Sequence, residues 1–250
     1  MSNCYKKPFL QKVIVRIDFT AKFQLTQKGL PKKVSDALLS IFPIPEPRKV
    51  LAKQVQISPA GTIENHEQQN HLFFHGKLRD KTLCITPDFL YIEITKYQTY
   101  EHLKEDFCAI LDKLNEAEEF SVNRFGLRYI NNIELNEDEP LNWERYINGE
   151  ILHMFDVTGD RSHLSRVFSN IVQHFDDGMQ LNYNYGMHNP DFPSKIKRKS
   201  FIMDLDAYFQ GVLGKDDIKS GIDIAHERIE ELFENSITDD LRTLMEIEHE

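Results

Sequence analysis

Two aspartates that could bind a metal ion lie in IMDLDAYFQ, residues 202–210. Side chains alternate between the two faces of a strand, so Asp204 and Asp206 should point the same way. Two carboxylates on one face can hold a divalent cation, as a metal-dependent hydrolase requires. Arginines or lysines on neighbouring strands could instead pair with both carboxylates, and we favour this second interpretation.

A second stretch, RFGLRYINNIEL at residues 124–135, combines cations, amides and a glycine within one predicted strand. Its first face is apolar except for one asparagine, and it is therefore expected in the core. Its second face is polar, and the glycine there indicates a close approach by another group. The core face comprises Phe125, Leu127, Tyr129, Asn131, Ile133 and Leu135, and the polar face comprises Arg124, Gly126, Arg128, Ile130, Asn132 and Glu134.

A third predicted strand, KVIVRIDF at residues 12–19, also carries charged residues on one face. If the three strands are neighbours in the sheet, their charged residues form one polar network. Such a network serves either as a ligand groove or as a structural set of ion pairs, and the structural interpretation is favoured. The expected members are Arg16, Asp18, Arg128, Asp204 and Asp206. The candidate ligand contacts are Arg16, Arg124, Arg128 and Asn132.

A basic loop, SKIKRKS at residues 194–200, follows the turn-forming Pro190 and Pro193. Its cations could contact the phosphates of a nucleic acid. No aromatic residue is interleaved with them, which favours a solvated hairpin loop instead. The binding candidates in this loop are Lys195, Lys197, Arg198 and Lys199.

The histidines give only a weak metal signal. His66 and His71 flank Glu67 in an approximation of the zinc motif HExxH, but they are five residues apart. The motif needs a spacing of four, which places both histidines on one helical face. They lie in a Gln/Asn-rich segment predicted as a loop, and His75 would complete a loose cluster of three histidines. No acidic partner is positioned beside this cluster, so no metal is expected. His226 lies beside an apolar helical stripe and is predicted as a boundary histidine, not a catalyst.

Missing motifs exclude several function classes. The eleven glycines form neither GxGxxG nor GxxxxGK, and no GxSxG occurs, so no cofactor is expected and enzyme activity is not favoured. The three cysteines are far apart, which fits a reducing compartment. The N-terminus lacks a secretory signal, and no apolar run is long enough to span a membrane. We therefore expect a cytoplasmic protein with no membrane partner.

Hydrophobic periodicity predicts the elements that position these residues. Alternating segments between residues 50 and 97, and again between 164 and 210, predict two meanders of strands. Residues 42–47, FPIPEP, are predicted as an extended connector. Ser236 and Asp239 have the spacing of a capping box that would start a short final helix. The other predicted helices cover residues 31–41, 98–117, 141–148 and 216–234.

This order predicts an α+β fold with mainly antiparallel strands and covering helices. A polar break, NEDEP at residues 136–140, separates an N-terminal half, residues 1–135, from a C-terminal half, residues 141–250. The order is compatible with two ferredoxin-like halves and equally with one compact domain. No sequence repeat connects the halves.

Charge is distributed unevenly along the chain. Residues 216–250 hold 12 acidic and 3 basic residues, so they carry −9 of the total net charge of −10. Residues 1–42 hold 8 basic and 2 acidic residues and carry +6. Either the two ends attract each other, or each meets a different partner. In the second case the acidic C-terminal helices could bind a protein partner with a basic surface.

Three further groups of residues stand out: YKKPFL at residues 5–10, FGLRYIN at 125–131, and LFE-x-SITD-x-LR at 232–242. In these the chain resembles a sporadically distributed prokaryotic family of about 250-residue proteins of uncharacterised function. The resemblance spans the whole chain and implies a role in mobile-element or antiviral defence systems. It implies no catalytic residue.

The sequence therefore predicts a non-catalytic binding or regulatory protein that acts through protein–protein contacts. The first alternative is a nucleic-acid or nucleotide-binding module of ferredoxin-like build, which would use the Arg16/Arg128 face and the loop at residues 195–199. The second is a metal-dependent hydrolase built on Asp204 and Asp206.

Overall fold

The computed structural model describes residues 5–58 and 61–246, whose nine strands all pair antiparallel in one sheet. The strands are β1 Leu10–Phe19, β2 Ile44–Ser58, β3 Gly61–His75, β4 Lys81–Ile85, β5 Phe89–Ile94, β6 Val122–Leu135, β7 Val167–His174, β8 Met179–Met187 and β9 Lys199–Leu213. Their order across the sheet is β2-β3-β4-β5-β1-β6-β9-β8-β7. The predicted α+β fold is confirmed.

Six α-helices accompany the sheet in the described ranges: α1 Leu25–Lys28, α2 Lys32–Ile41, α3 Tyr100–Ala117, α4 Gly149–Leu152, α5 Lys215–Ser236 and α6 Asp239–Met245. Short 3-10 helices cover His153–Thr158 and Arg161–His163. The Thr99 side chain caps α3 by accepting a hydrogen bond from the backbone amide of His102. At the start of α5 the Asp217 carboxylate accepts one from the amide of Gly214. None of these helices combines the length and apolar character that crossing a membrane would require.

The two halves contribute to the sheet in different ways. In the N-terminal half, β4, β5, β1 and β6 have the strand order of a ferredoxin-like unit, which the β2–β3 hairpin extends at one edge. The C-terminal half differs from a second ferredoxin-like unit, because its described strands β7, β8 and β9 form a simple meander. β6 pairs with β9 from Val122 to Leu135, so one continuous sheet joins both halves.

The helices cover one face of the sheet, and this face is the core. Val13, Val15 and Ile17 of β1 are fully buried there. The apolar stripes predicted for α3 and α5 also lie in the core, where the rings of Phe107 and Phe125 stack with centroids 6.2 Å apart. The alternation predicted for β6 is confirmed, because its apolar residues and Asn131 lie on this buried face.

Two predictions for the N-terminal half were wrong. From Ile44 onward the expected connector belongs to β2, whose two prolines are tolerated because β2 is an edge strand. The Gln/Asn-rich segment predicted as a loop is part of β3, which pairs with β2 along its whole length. The polar sequence of this segment hid the strand, because it shows no hydrophobic alternation.

Two local predictions for the C-terminal half were also wrong. The helix expected at residues 141–148 is a series of turns, and the short helix starts only at Gly149, after the Asn148 side chain accepts a hydrogen bond from Glu150 N. The final helix is capped by Thr238, which accepts from Leu241 N, and not by Ser236. The Ser236 hydroxyl instead donates to the backbone of α5 and accepts from a tyrosine on β8.

Residues 5–7 contact the acidic C-terminal helices, in line with the uneven charge of the chain. The backbone amide of Lys6 donates to the carbonyl of Glu246 at 2.9 Å, and the side chains of Lys7 and Glu246 form an ion pair. Tyr5 donates to the Glu234 carboxylate at 2.6 Å. The N-terminal segment is therefore held against the end of α5 and the last turn of α6.

Candidate functional site

The sheet face opposite the helices, hereafter the open face, carries the polar residues of β1, β6 and β9. Alternate residues of these strands are half-buried on this face, while their neighbours in sequence are buried on the other. On the open face a groove of about 350 Å³ forms between the three strands. This arginine groove is lined by Ile14, Arg16, Asp18, Arg124, Gly126, Arg128 and Asp206.

Ion pairs across β6 and β9 organise the groove. Arg128 donates to Asp204 from Nε at 2.7 Å, and Arg124 donates to Asp206 from Nη2 at 3.1 Å. Neither pair is directly cross-strand, since Asp206 lies opposite Arg128 and Gln210 lies opposite Arg124. The predicted members lie on one face, but Asp206 pairs with Arg124, which the prediction did not include. Each aspartate of β9 thus has an arginine partner.

Arg16 is held differently, within its own strand. Its Nε donates to Asp18 Oδ1 at 2.8 Å, and its guanidinium lies 4.3 Å from the centre of the Phe89 ring on β5. About two fifths of the Arg16 and Arg128 side chains stay exposed, compared with a quarter for Arg124. Arg16 and Arg128 are thus the cations that a bound partner would meet first.

Gly126 explains how Arg124 reaches its position. A Cβ atom at Gly126 would lie 3.0 Å from Nη1 of Arg124, so the guanidinium lies directly over the glycine. The close approach predicted at this glycine therefore comes from a side chain of the same strand. Arg124 also packs 4.8 Å from the ring centre of Tyr208, which fixes it against β9.

The groove combines arginine and aspartate side chains. Its walls carry three guanidinium groups and two carboxylates. Burial raises the pKa of Asp206 above its ordinary value, although Arg124 and Arg128 act in the opposite direction. The hydrogen bond to Asp204 raises the pKa of Arg128, so that cation stays charged. Asp204 lies just outside the lining and pairs with Arg128, so the three arginines are matched by three aspartates. The exposed parts of Arg16 and Arg128 are the positive charge that a ligand would meet.

Asn132, a further candidate contact, lies beyond the groove. Its amide donates to Glu134 at 2.7 Å and its carbonyl oxygen accepts from the Ser200 hydroxyl at 2.8 Å. Both polar atoms of this side chain are therefore used in local contacts between β6 and β9. We assign Asn132 a structural role at the edge of the open face.

The cations of the basic loop differ in how far they are buried. Lys199 is 5% exposed at the start of β9, where its Nζ pairs with Glu137 at 2.7 Å. Lys199 was expected to be a solvated cation of the loop, and that prediction was wrong. Its Nζ also lies 5.3 Å from the centre of the Trp143 ring, so we assign Lys199 a structural role. Arg198 pairs with Asp191 at 3.2 Å, whereas Lys195 and Lys197 are exposed.

The metal candidates do not assemble a site in the part of the chain that the structure describes. No group of three or more His, Cys, Asp or Glu side chains there could hold a metal ion. His75 lies on β3 with its Nδ1 3.0 Å from the Thr82 hydroxyl. The side chains of His66 and Glu67 lie outside the described residues.

The acidic C-terminal helices, expected as a docking surface, are largely paired within the chain. Asp223 of α5 accepts from Lys104 at 2.7 Å, Glu234 from Arg242 at 2.8 Å, and Asp240 of α6 from Arg145 at 2.8 Å. Glu227 and Glu231 remain on the exposed side of α5. The negative charge of these helices is thus partly neutralised by the rest of the protein.

Sequence reasoning missed a second cavity, of about 380 Å³, on the helical side of the sheet. It lies between the N-terminal segment, the start of α3, the centre of β6 and the last turns of α5. Six aromatic side chains line this aromatic cavity: Tyr5, Phe9, Tyr97, Tyr100, Tyr129 and Phe233. The only sequence signals were Asn131 among core residues and His226 beside an apolar stripe.

The fold and the groove define a protein with one helix-covered face and one polar face, whose site offers guanidinium donors and no metal cluster within the described residues. Neither the protein-family models nor the curated proteins compared with this chain give a match. The chemistry available to the groove is ion pairing and hydrogen bonding by arginine.

Proposed function

We propose that this chain is a non-catalytic binding protein that acts through protein–protein contacts, with the arginine groove as its contact surface. One observation carries the proposal: the groove presents two half-exposed guanidinium groups, Arg16 and Arg128, on a sheet face that the helices leave uncovered. Guanidinium groups bind carboxylates through parallel N–H donors. An acidic side chain on the partner therefore fits the groove.

The pairing of the aspartates supports binding over catalysis. Asp204 receives two hydrogen bonds from Arg128, and Asp206 receives one from Arg124. A divalent cation at these carboxylates would have to displace both guanidinium groups, whose positive charge also opposes its approach. The groove is thus better suited to an anionic group than to a metal ion.

Nucleic-acid binding is the second candidate, favoured by the aromatic residues beside the groove. The rings of Phe89 and Tyr91 on β5 are nearly parallel with centroids 6.1 Å apart, and Arg16 lies over the first of them. Open sheet faces of ferredoxin-like build bind single-stranded RNA by stacking bases on aromatic side chains. The net charge of −10 opposes this candidate, since phosphate contacts require a basic surface.

The proposal extends to the cellular context. The resemblance to a sporadically distributed prokaryotic family supports a role in a defence or mobile-element system. The acidic residues that stay exposed on α5, Glu227 and Glu231, support a second contact with a basic region of the same partner.

The test is affinity purification at low salt, with and without nuclease, followed by identification of the bound protein and nucleic acid. The groove variant Arg16→Gln/Arg128→Gln is compared with Lys195→Gln/Arg198→Gln, which removes the same charge from the exposed loop. We expect a protein that is recovered with the wild type and the loop variant, but not with the groove variant, whether or not nuclease is present.

Equal recovery with both variants would show that the groove is not the contact surface. Recovery that disappears after nuclease treatment would support the nucleic-acid candidate instead. Melting temperatures of the two variants are measured first, because the loss of Arg128 also removes an ion pair. Only a folded groove variant is used for the comparison.

A further inference from the structure

The aromatic cavity contains one buried polar atom that lacks a partner in the part of the chain that the structure describes. Asn131 also lines the cavity and is 6% exposed. His226 is 7% exposed, and its Nε2 is buried without a hydrogen-bond partner in the same part of the chain. Buried polar groups are normally satisfied, because leaving one without a partner costs about 1 to 3 kcal/mol. Such a nitrogen in the wall of a cavity indicates that a ligand completes the site.

The imidazole of His226 is held in a fixed orientation. Its Nδ1 lies 3.0 Å from the Tyr129 hydroxyl, which in turn lies 2.9 Å from the hydroxyl of Tyr97. The ring of Tyr100 stacks on the imidazole with a centroid distance of 3.8 Å and an interplanar angle of 8°. Nε2 is thus the one ring nitrogen that remains for a ligand.

The charges around the cavity are mainly negative. The Glu230 carboxylate lies 3.8 Å from His226 Nε2, and Glu101 and Glu234 also line the cavity. Lys6 is the one cation among the lining residues, and its side chain is exposed. Burial lowers the pKa of His226, although the surrounding carboxylates act in the opposite direction, and this favours the neutral imidazole. A neutral imidazole can accept a hydrogen bond.

We propose that the aromatic cavity binds a protonated primary or secondary amine with an aromatic or aliphatic body. The ammonium group donates a hydrogen bond to His226 Nε2, and its charge is balanced by Glu230. The Asn131 amide supplies a further hydrogen bond. Binding selects the tautomer in which Nδ1–H donates to the Tyr129 oxygen and Nε2 is the acceptor.

The walls fit this class of ligand. Aromatic rings attract cations through their electron-rich faces, and apolar walls bury the body of the ligand. A carboxylate ligand is disfavoured, because it would lie beside Glu230 and Glu101. A quaternary ammonium ion has no N–H group, so it would leave His226 Nε2 without a partner.

The binding test uses three probes: 2-phenylethylamine, n-hexylamine and 3-phenylpropanoate. The first and third have similar size and opposite charge. Isothermal titration calorimetry of the wild-type protein should show saturable binding of at least one amine with a Kd below about 1 mM. The propanoate should bind at least about tenfold more weakly.

Two glutamine variants on α5 localise the site. Glu230→Gln should weaken amine binding by at least about tenfold, because it removes the balancing charge. Glu227→Gln removes the same charge from the exposed side of the helix, and it should leave the affinity unchanged. The histidine ring NMR signal that disappears in His226→Gln belongs to His226. Amine binding to the wild type should shift this signal.

Four results would overturn the proposal. The first is that neither amine binds with a Kd below about 10 mM. The second is equal affinity for the amine and the propanoate, and the third is an equal loss of affinity in the two glutamine variants. A binding event that leaves the His226 signal unmoved would place the amine elsewhere and would also count against the site.

Discussion

Arg128 on β6 donates two hydrogen bonds to Asp204 on β9, from Nε to Oδ1 at 2.7 Å and from Nη2 to Oδ2 at 2.5 Å. The residue directly across the strands from Arg128 is Asp206, so the pair is diagonal. This arrangement leaves Asp206 to Arg124 and gives both aspartates of β9 a guanidinium partner. The open face is therefore an ordered set of ion pairs.

Removal of Arg128 should destabilise the protein more than removal of Arg198. Arg128→Ala leaves Asp204, whose side chain is 13% exposed, without its bidentate partner, and we expect a loss of about 1 to 2 kcal/mol. Arg198 pairs with Asp191 at the surface, and its replacement by alanine should change the free energy of unfolding by less than about 0.5 kcal/mol. Urea denaturation measures both values. Equal losses would show that the Arg128–Asp204 pair contributes little.

The double variant Asp204→Asn/Asp206→Asn tests the metal-binding alternative. We expect lower stability, because two arginines lose their charged partners on a half-buried face. Calorimetric titration of the wild type with Mn²⁺ should show no saturable binding tighter than about 100 µM. Tighter binding that disappears in the double variant would support the hydrolase interpretation and contradict the structural one.

The helical stripes provide a test of the core. Phe107→Ala and Ile229→Ala should each lower the free energy of unfolding by about 2 to 5 kcal/mol, because both side chains are buried. Leu78→Ala is the control, since Leu78 is 74% exposed, and it should cost less than about 0.5 kcal/mol. If the buried substitutions cost no more than the control, α3 and α5 do not pack as the structure shows.

His226 should make the protein less stable in mild acid. Burial lowers the pKa of His226 in the folded state below its ordinary value of about 6.5. As the pH falls through 6.5 the unfolded chain binds a proton that the folded protein does not, so stability is lost in this direction. One unit of pH below that value corresponds to at most about 1.4 kcal/mol.

The comparison is the change in unfolding free energy between pH 7.5 and pH 5.5 for the wild type and His226→Gln. The variant should lose less stability than the wild type over this range. An equal loss in both proteins would assign the acid sensitivity to other groups, such as His71 and His188, whose pKa values burial also lowers.

The sequence predicted the fold where one face of an element is apolar. The alternation in β1 and β6 identified both strands, and it placed Arg16 and Arg128 on one face with the β9 aspartates. It failed for the start of β2 and for the Gln/Asn-rich part of β3, because prolines and polar residues leave no hydrophobic alternation there. It also failed for Lys199, because burial of a lysine depends on Glu137 and Trp143, which are distant in sequence.

The two candidate sites differ in how far the sequence could predict them. The arginine groove lies on three strands whose alternation is readable, so its residues could be named in advance. The aromatic cavity combines the N-terminal segment, the start of α3, β6 and α5, and its shape depends on how these elements pack. Periodicity placed Asn131 in the core but gave no indication that its amide lines a cavity.

The most direct test of the proposed contact surface is site-specific photocrosslinking from inside the groove. A benzoylphenylalanine replaces Ile14, which lines the groove, and in a control protein it replaces Val157, which is 84% exposed. If the arginine groove is the contact surface, irradiation in cell extract links one protein to position 14 and not to position 157, and Arg16→Gln reduces the yield. Identical products from both positions, or no protein product from position 14, would contradict it.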